Sequence, residues 1–139
     1  MQVTRTLKTD EKTLYRFIQS LADEDAKQPA KKGTVYKKML VNVNGVKQKV
    51  KVIVNAMQPG LYQVTIEQGQ DTYVMRYSWK AAGKGKVELV YEETADLKSG
   101  GGKLNQKLTA FLTSFSTKRR LNDRLDLFEK ALEGFDPAD

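Results

Sequence analysis

The sequence predicts an α+β fold, a curved antiparallel sheet of about six strands wrapped around a long C-terminal helix. Three observations predict it. Between Gly33 and Thr94 the apolar residues recur with a period of two. Turn signals cut that stretch into segments whose apolar sets can share one face. From Leu104 to Leu132 the apolar residues recur instead at helical spacing.

The elements follow in order. Val3 to Lys8 reads as a first strand. Thr9 or Asp10 then caps a helix whose apolar face is Leu14, Phe17, Ile18 and Leu21, with Asp10 and Glu11 suited to the positive end of the helix dipole. Asp23 to Gln28 is expected to form a second short helical turn, stopped by Pro29.

Five strands should come next. Asn44-Gly45 suits a two-residue type I′ turn, because both positions need positive φ. Closing it pairs Val43 with Val46, Val41 with Gln48 and Met39 with Val50, and turns Val35, Met39, Val41, Val43, Val46, Val50, Val52 and Val54 inward. Pro59-Gly60 marks the next turn, and Gly69-Gln70 suits a type II′ turn that pairs Ile66 with Tyr73, Val64 with Met75 and Tyr62 with Tyr77. A loop from Ala81 to Gly85, closed by Lys80 and Lys86, would pair Trp79 with Val87, Tyr77 with Leu89 and Met75 with Tyr91. All three registers gather the apolar sets on a single face, which a slip by one residue would scramble.

Ser99-Gly100-Gly101-Gly102 lies in a loop before the long helix. Leu104, Leu108, Phe111, Leu112 and Phe115 form that helix's first apolar stripe, and Leu121, Leu125, Phe128 and Leu132 a second, rotated from it. The chain reads as one domain spanning residues 1–139.

Composition excludes several chemistries. There is no cysteine and no histidine, so disulfides, thiolate catalysis and the usual zinc ligands are missing. No apolar run approaches the length of a membrane span, and the first residues carry no apolar leader, so a cytoplasmic location is the expectation. No cofactor is expected. The net charge is +7, and residues 31–51 hold seven lysines and no acid while the rest of the chain is balanced. The basic character is therefore one local surface.

The order of strand, helix pair, antiparallel meander, Gly-rich loop and long C-terminal helix resembles the helix-grip arrangement of the START and Bet v 1-like superfamily. Thr4-Arg5-Thr6-Leu7, Lys32-Gly33-Thr34-Val35-Tyr36, the Gly45 hairpin with alternating lysine and valine, and Phe111 to Arg120 resemble a small bacterial family of unknown function within it. The resemblance implies a cavity between sheet and helix of a kind that often takes apolar ligands, or a co-chaperone-like role with a protein partner. It supplies no reaction.

Two candidate sites emerge. Tyr62, Tyr73, Tyr77, Trp79 and Tyr91, with Met39 and Met75, form an inward wall that Phe111 and Phe115 should face. Such a stripe is ordinarily packed core, but its excess of tyrosine also suits an amphipathic ligand held by one polar end. Lys38, Lys47, Lys49 and Lys51 should share the outward face of the Gly45 hairpin, with Lys38 opposite Lys51. They protect a sheet edge or bind an acidic protein partner, RNA or an anionic membrane. Nucleic acid is disfavoured, because Tyr36 is the lone outward aromatic there. Of the charged residues, Lys37 and Glu93 fall near the inward face, at its ends, and Lys118-Arg119-Arg120 reads as a solvated helical face. No catalytic constellation is apparent, so the sequence favours a binding module over an enzyme.

Overall fold

The computed structural model describes residues 2–41, 45–98 and 118–137. In order these form β1 (Gln2–Leu7), α1 (Glu11–Ala26), β2 (Val35–Val41), β3 (Lys47–Gln58), β4 (Leu61–Gln68), β5 (Asp71–Ala81), β6 (Val87–Asp96) and α2 (Lys118–Glu133). The strands make one curved antiparallel sheet in the order β1-β6-β5-β4-β3-β2, with β1 and β2 at its edges. The helices cover its concave face.

Asp10 caps α1, its carboxylate accepting from the Thr13 amide at 2.8 Å. The helix runs unbroken to Ala26, in place of the separate turn expected from Asp23, and stops where Lys27 turns left-handed at φ 56°. The Asp23 side chain instead accepts from the Ala30 amide at 2.6 Å and folds back the connection to β2. Leu14, Phe17 and Ile18 are buried as their spacing requires, whereas Leu21 is 41% exposed and Ala22 and Ala26 complete the buried face.

The β4–β5 register is the expected one, with Tyr62 opposite Tyr77 and Ile66 opposite Tyr73, and Gly69 takes the positive φ (61°) that its turn needs. Between β5 and β6 the pairing lies two residues along: Tyr77 faces Tyr91 and Trp79 faces Leu89. The loop sits one residue further along than expected, at 82–86. The Ala82 amide donates to the Lys86 carbonyl across Gly83-Lys84-Gly85, both glycines having positive φ. A shift of two leaves every side chain on its predicted face.

The β2–β3 register differs by one residue, and that changes faces. Val41 pairs with Lys47, Met39 with Lys49, Lys38 with Val50 and Lys37 with Lys51. Val50, Val52 and Val54 point inward as predicted, but Val35, Met39 and Val41 point outward and are about half exposed, while Tyr36, Lys38 and Leu40 turn inward. The turn residue Asn44 lies outside the described residues. The exchange is stabilised on the inner side, where Tyr36 and Lys38 reach Asp25 of α1 and Leu40 packs on the valines of β3. A shift in register at Asn55 marks a bulge in β3.

Two apolar clusters fill the concave side. Val3, Leu7, Leu14, Phe17, Trp79, Leu89 and Tyr91 pack against Leu121, Leu125 and Leu132 of α2. Ala22, Ala26, Val50, Val52, Val54, Val64, Ile66 and Tyr73 form the other. Of the two predicted stripes on the C-terminal helix, the second is buried at Leu121, Leu125 and Leu132 and partly buried at Phe128, and the first, with the Gly-rich loop before it, lies outside the described residues. Arg5 ties the far edge to α2, donating to Asp126 at 2.6 Å and to the Asn122 side chain at 3.2 Å.

Candidate ligand-binding site

Alternation along β3, β4 and β5 sends Val52, Val64, Ile66, Tyr62, Met75 and Tyr77 to the concave face, where side chains of α1 and α2 lie against them. Between these layers lies a cavity of about 240 Å³. Ile18, Leu21 and Ala22 of α1 and Phe128 of α2 supply its helical walls. Tyr62 stacks on Tyr77 with ring centroids 5.8 Å apart, and Tyr77 stacks on Phe128 at 6.0 Å. The walls are therefore mostly apolar, with tyrosine rings among them.

One edge of the cavity is polar. Lys38 Nζ donates to both oxygens of Asp25, at 2.9 and 3.1 Å, and the Tyr36 hydroxyl donates to the same carboxylate at 2.5 Å. Lys38 and Asp25 thus cancel each other's charge. Burial first, and then the bond to Asp25, holds the Tyr36 hydroxyl in its protonated form well above the usual range.

A second polar group sits deeper. Tyr91 is fully buried, with its ring 4.6 Å from that of Tyr77. Its hydroxyl donates to Glu93, and Arg124 of α2 donates to the Tyr91 oxygen at 3.1 Å and to Glu93 at 3.0 Å. Burial pushes Tyr77 up to about 12, and burial together with Tyr77 and Glu93 raises Tyr91 further. Tyr62 is raised by burial, then by Tyr77 and Asp25. At neutral pH these phenols are all uncharged donors.

The predicted ligand-binding residues separate into groups. Tyr62, Met75 and Tyr77 line the cavity. Tyr73, Trp79 and Tyr91 face inward but are core residues, Trp79 lying against Tyr15 with centroids 6.2 Å apart. Met39 is 52% exposed on the opposite face, a correction that follows from the β2 register. Phe111 and Phe115 lie outside the described residues. Among the expected surface lysines, Lys47, Lys49 and Lys51 are outward, but Lys38 is not, and Lys37 stands opposite Lys51 in its place. The same slip reverses the reading of Lys37 as near the inward face, whereas Glu93 is inward as expected. Sequence reasoning misses Asp25, Tyr36 and Lys38 as site residues. A stronger weight on Tyr36 and Leu40 as the inward pair of β2 would find them.

Comparison with known proteins agrees with this architecture. Residues 1–114 match the family described as Domain of unknown function (DUF3284). The chain belongs to this family. No curated protein matches it. Among solved structures, a conserved protein from Geobacillus kaustophilus is similar at 17% identity and a TM-score of 0.61, over 96% of this chain and 94% of that one. A START superfamily protein from Mycobacterium smegmatis is similar at 13% identity and a TM-score of 0.61, over 96% and 97% of the two chains. Ara h 8.0201 is similar at 17% identity and a TM-score of 0.57, over 96% and 94%. These likenesses establish a START/Bet v 1-like fold for this DUF3284 protein.

The outward face of β2 and β3 is a different surface. Val35, Met39 and Val41 are each about half exposed there beside Lys37, Lys47, Lys49 and Lys51. Lys51 lies 3.9 Å from Glu67 of β4. No described helix is long and apolar enough to cross a membrane, and no metal-binding group of side chains occurs among the described residues.

Proposed function

We propose that this protein is a binding module that holds a small apolar or amphipathic molecule between the concave sheet and its helices. The observation that carries the reading is the cavity itself, walled by Ile18, Val52, Val64, Ile66, Met75 and Phe128 together with Tyr62 and Tyr77. A mostly apolar hollow with a few convergent polar groups is the usual form of a small-molecule site. At about 240 Å³ it falls just below the ~300–1,000 Å³ common for drug-sized ligands, which favours a compact ligand. Native mass spectrometry of gently purified protein tests the reading. A retained small molecule, released when Val64→Trp fills the cavity, is the expected result. A ligand that stays bound in that variant would remove the cavity from consideration.

A second reading assigns the outward lysine face to an acidic protein partner. It rests on the juxtaposition of Lys37 with Lys51, flanked by exposed Met39 and Val41. Binding whose affinity falls steeply with salt would support it.

A further inference from the structure

The unused hydrogen-bonding capacity at the polar edge of the cavity specifies the head of the ligand, an inference that rests on the cavity being a ligand site. Lys38, Asp25 and Tyr36 come together there only because β2 takes a register that turns a lysine toward the helices. An ammonium carries three donors, and Lys38 uses two of them on Asp25. Asp25 accepts those two and the Tyr36 hydroxyl, so most of its capacity is taken. Tyr62 lines the same cavity, and its hydroxyl has no hydrogen-bond partner among the described residues. What remains includes two donors, one N–H of Lys38 and the O–H of Tyr62.

Charge narrows the choice further. The Lys38 ammonium and the Asp25 carboxylate neutralise each other at 2.9 Å. An ionised head entering this apolar space would lose hydration and meet no uncompensated opposite charge, which is costly. A neutral oxygen able to accept is matched by those two donors.

We propose that the cavity selects a neutral, compact apolar molecule bearing one accepting oxygen, a carbonyl or hydroxyl, which takes hydrogen bonds from Tyr62 and Lys38 at the edge between α1 and β2.

Four probes of nearly equal size test this: ethylbenzene, acetophenone, benzoate and benzylammonium, each titrated into the whole protein and followed by amide NMR shifts. Acetophenone should bind about tenfold more tightly than ethylbenzene, the worth of one good hydrogen bond. Tyr62→Phe should bring acetophenone down to the level of ethylbenzene and leave ethylbenzene unchanged. The hydroxyl removed bonds no other described residue, so the variant should keep its fold. Lys38→Met should act in the same direction, with Asp25→Asn added so that no unpaired carboxylate remains. Equal binding of acetophenone and ethylbenzene by the unaltered protein would overturn the head-group inference and leave the cavity reading standing. So would tightest binding of benzoate or benzylammonium. Failure of all four probes to shift any resonance of the cavity wall would overturn the cavity reading, and the inference with it.

Discussion

Arg124 on α2 holds Glu93 on β6 at 3.0 Å, and both meet the hydroxyl of the fully buried Tyr91. The C-terminal helix is thus fastened to the sheet by a charged bond with little access to water on the Glu93 side, which is 14% exposed. Hydrogen bonds to charged groups in such places contribute about 1.5–3 kcal/mol. Glu93→Gln should cost that amount, seen as a lower urea midpoint with an unchanged slope. A loss below about 0.5 kcal/mol would put the pair with ordinary surface ion pairs.

Alkali should unfold the protein through its tyrosines. Tyr77 and Tyr73 ionise near pH 12 in the fold, chiefly because burial disfavours the phenolate, against about 10 when unfolded. Below pH 10 both states keep the proton and the stability is fully present. Between about pH 10 and 12 only the unfolded state releases it, so stability falls as pH rises, by about 1.4 kcal/mol per pH unit for each group. Tyr77→Phe should flatten that slope in denaturant titrations across this range.

Leu125 is 2% exposed in the cluster joining α2 to β1, α1 and β6. Leu125→Ala should destabilise by about 2–5 kcal/mol. Leu127, 70% exposed on the same helix, supplies the control, since its replacement by alanine should change stability by less than about 0.5 kcal/mol. Thermal unfolding of the two variants side by side would check the contrast.

Gly60 turns the chain between β3 and β4 at φ 89°, and a Cβ there would meet the Trp79 carbonyl oxygen at 3.3 Å. Gly60→Ala combines an unfavourable backbone conformation with that contact, and should cost more than about 1 kcal/mol in a denaturant titration. Gly69→Ala, with positive φ but open space around it, should cost less.

The outer face of β2 is apolar and lies at an open sheet edge, guarded by Lys37, Lys47, Lys49 and Lys51. Replacing these four lysines with glutamine should leave the fold intact and increase self-association, because an uncharged edge strand is a template for pairing. Light scattering at low ionic strength would show it. Unchanged scattering would mean that Val35, Met39 and Val41 are not an association hazard.

Where the alternation is strong and the turn chemistry sound, the sequence discloses the structure. The pairing of Tyr62 with Tyr77 follows from Gly69-Gln70 alone. The β5–β6 loop sits one residue further along than expected, but the pairing shifts by an even number of residues, so Trp79 and Tyr77 stay inward. β2 is different. Val35, Met39 and Val41 alternate with Tyr36, Lys38 and Leu40, so neither set is plainly the apolar one, and the Asn44-Gly45 signal selects the wrong set. The contact that decides the matter, Lys38 with Asp25, joins residues on separate elements and leaves no periodic trace. The polar edge of the candidate site is hidden for the same reason.

The position of β1 sets how the molecule must assemble. Gln2 pairs with Glu92, and Arg5 bonds Asp126 across 121 residues of sequence. Local hairpins can close early, but the edge where β1 docks requires one of the longest loop closures in the molecule before any of its bonds form. Topologies dominated by such distant pairings fold in milliseconds to seconds rather than microseconds. Docking of the first strand, which buries Val3 and Leu7, therefore depends on β6 and α2 being in place to receive it.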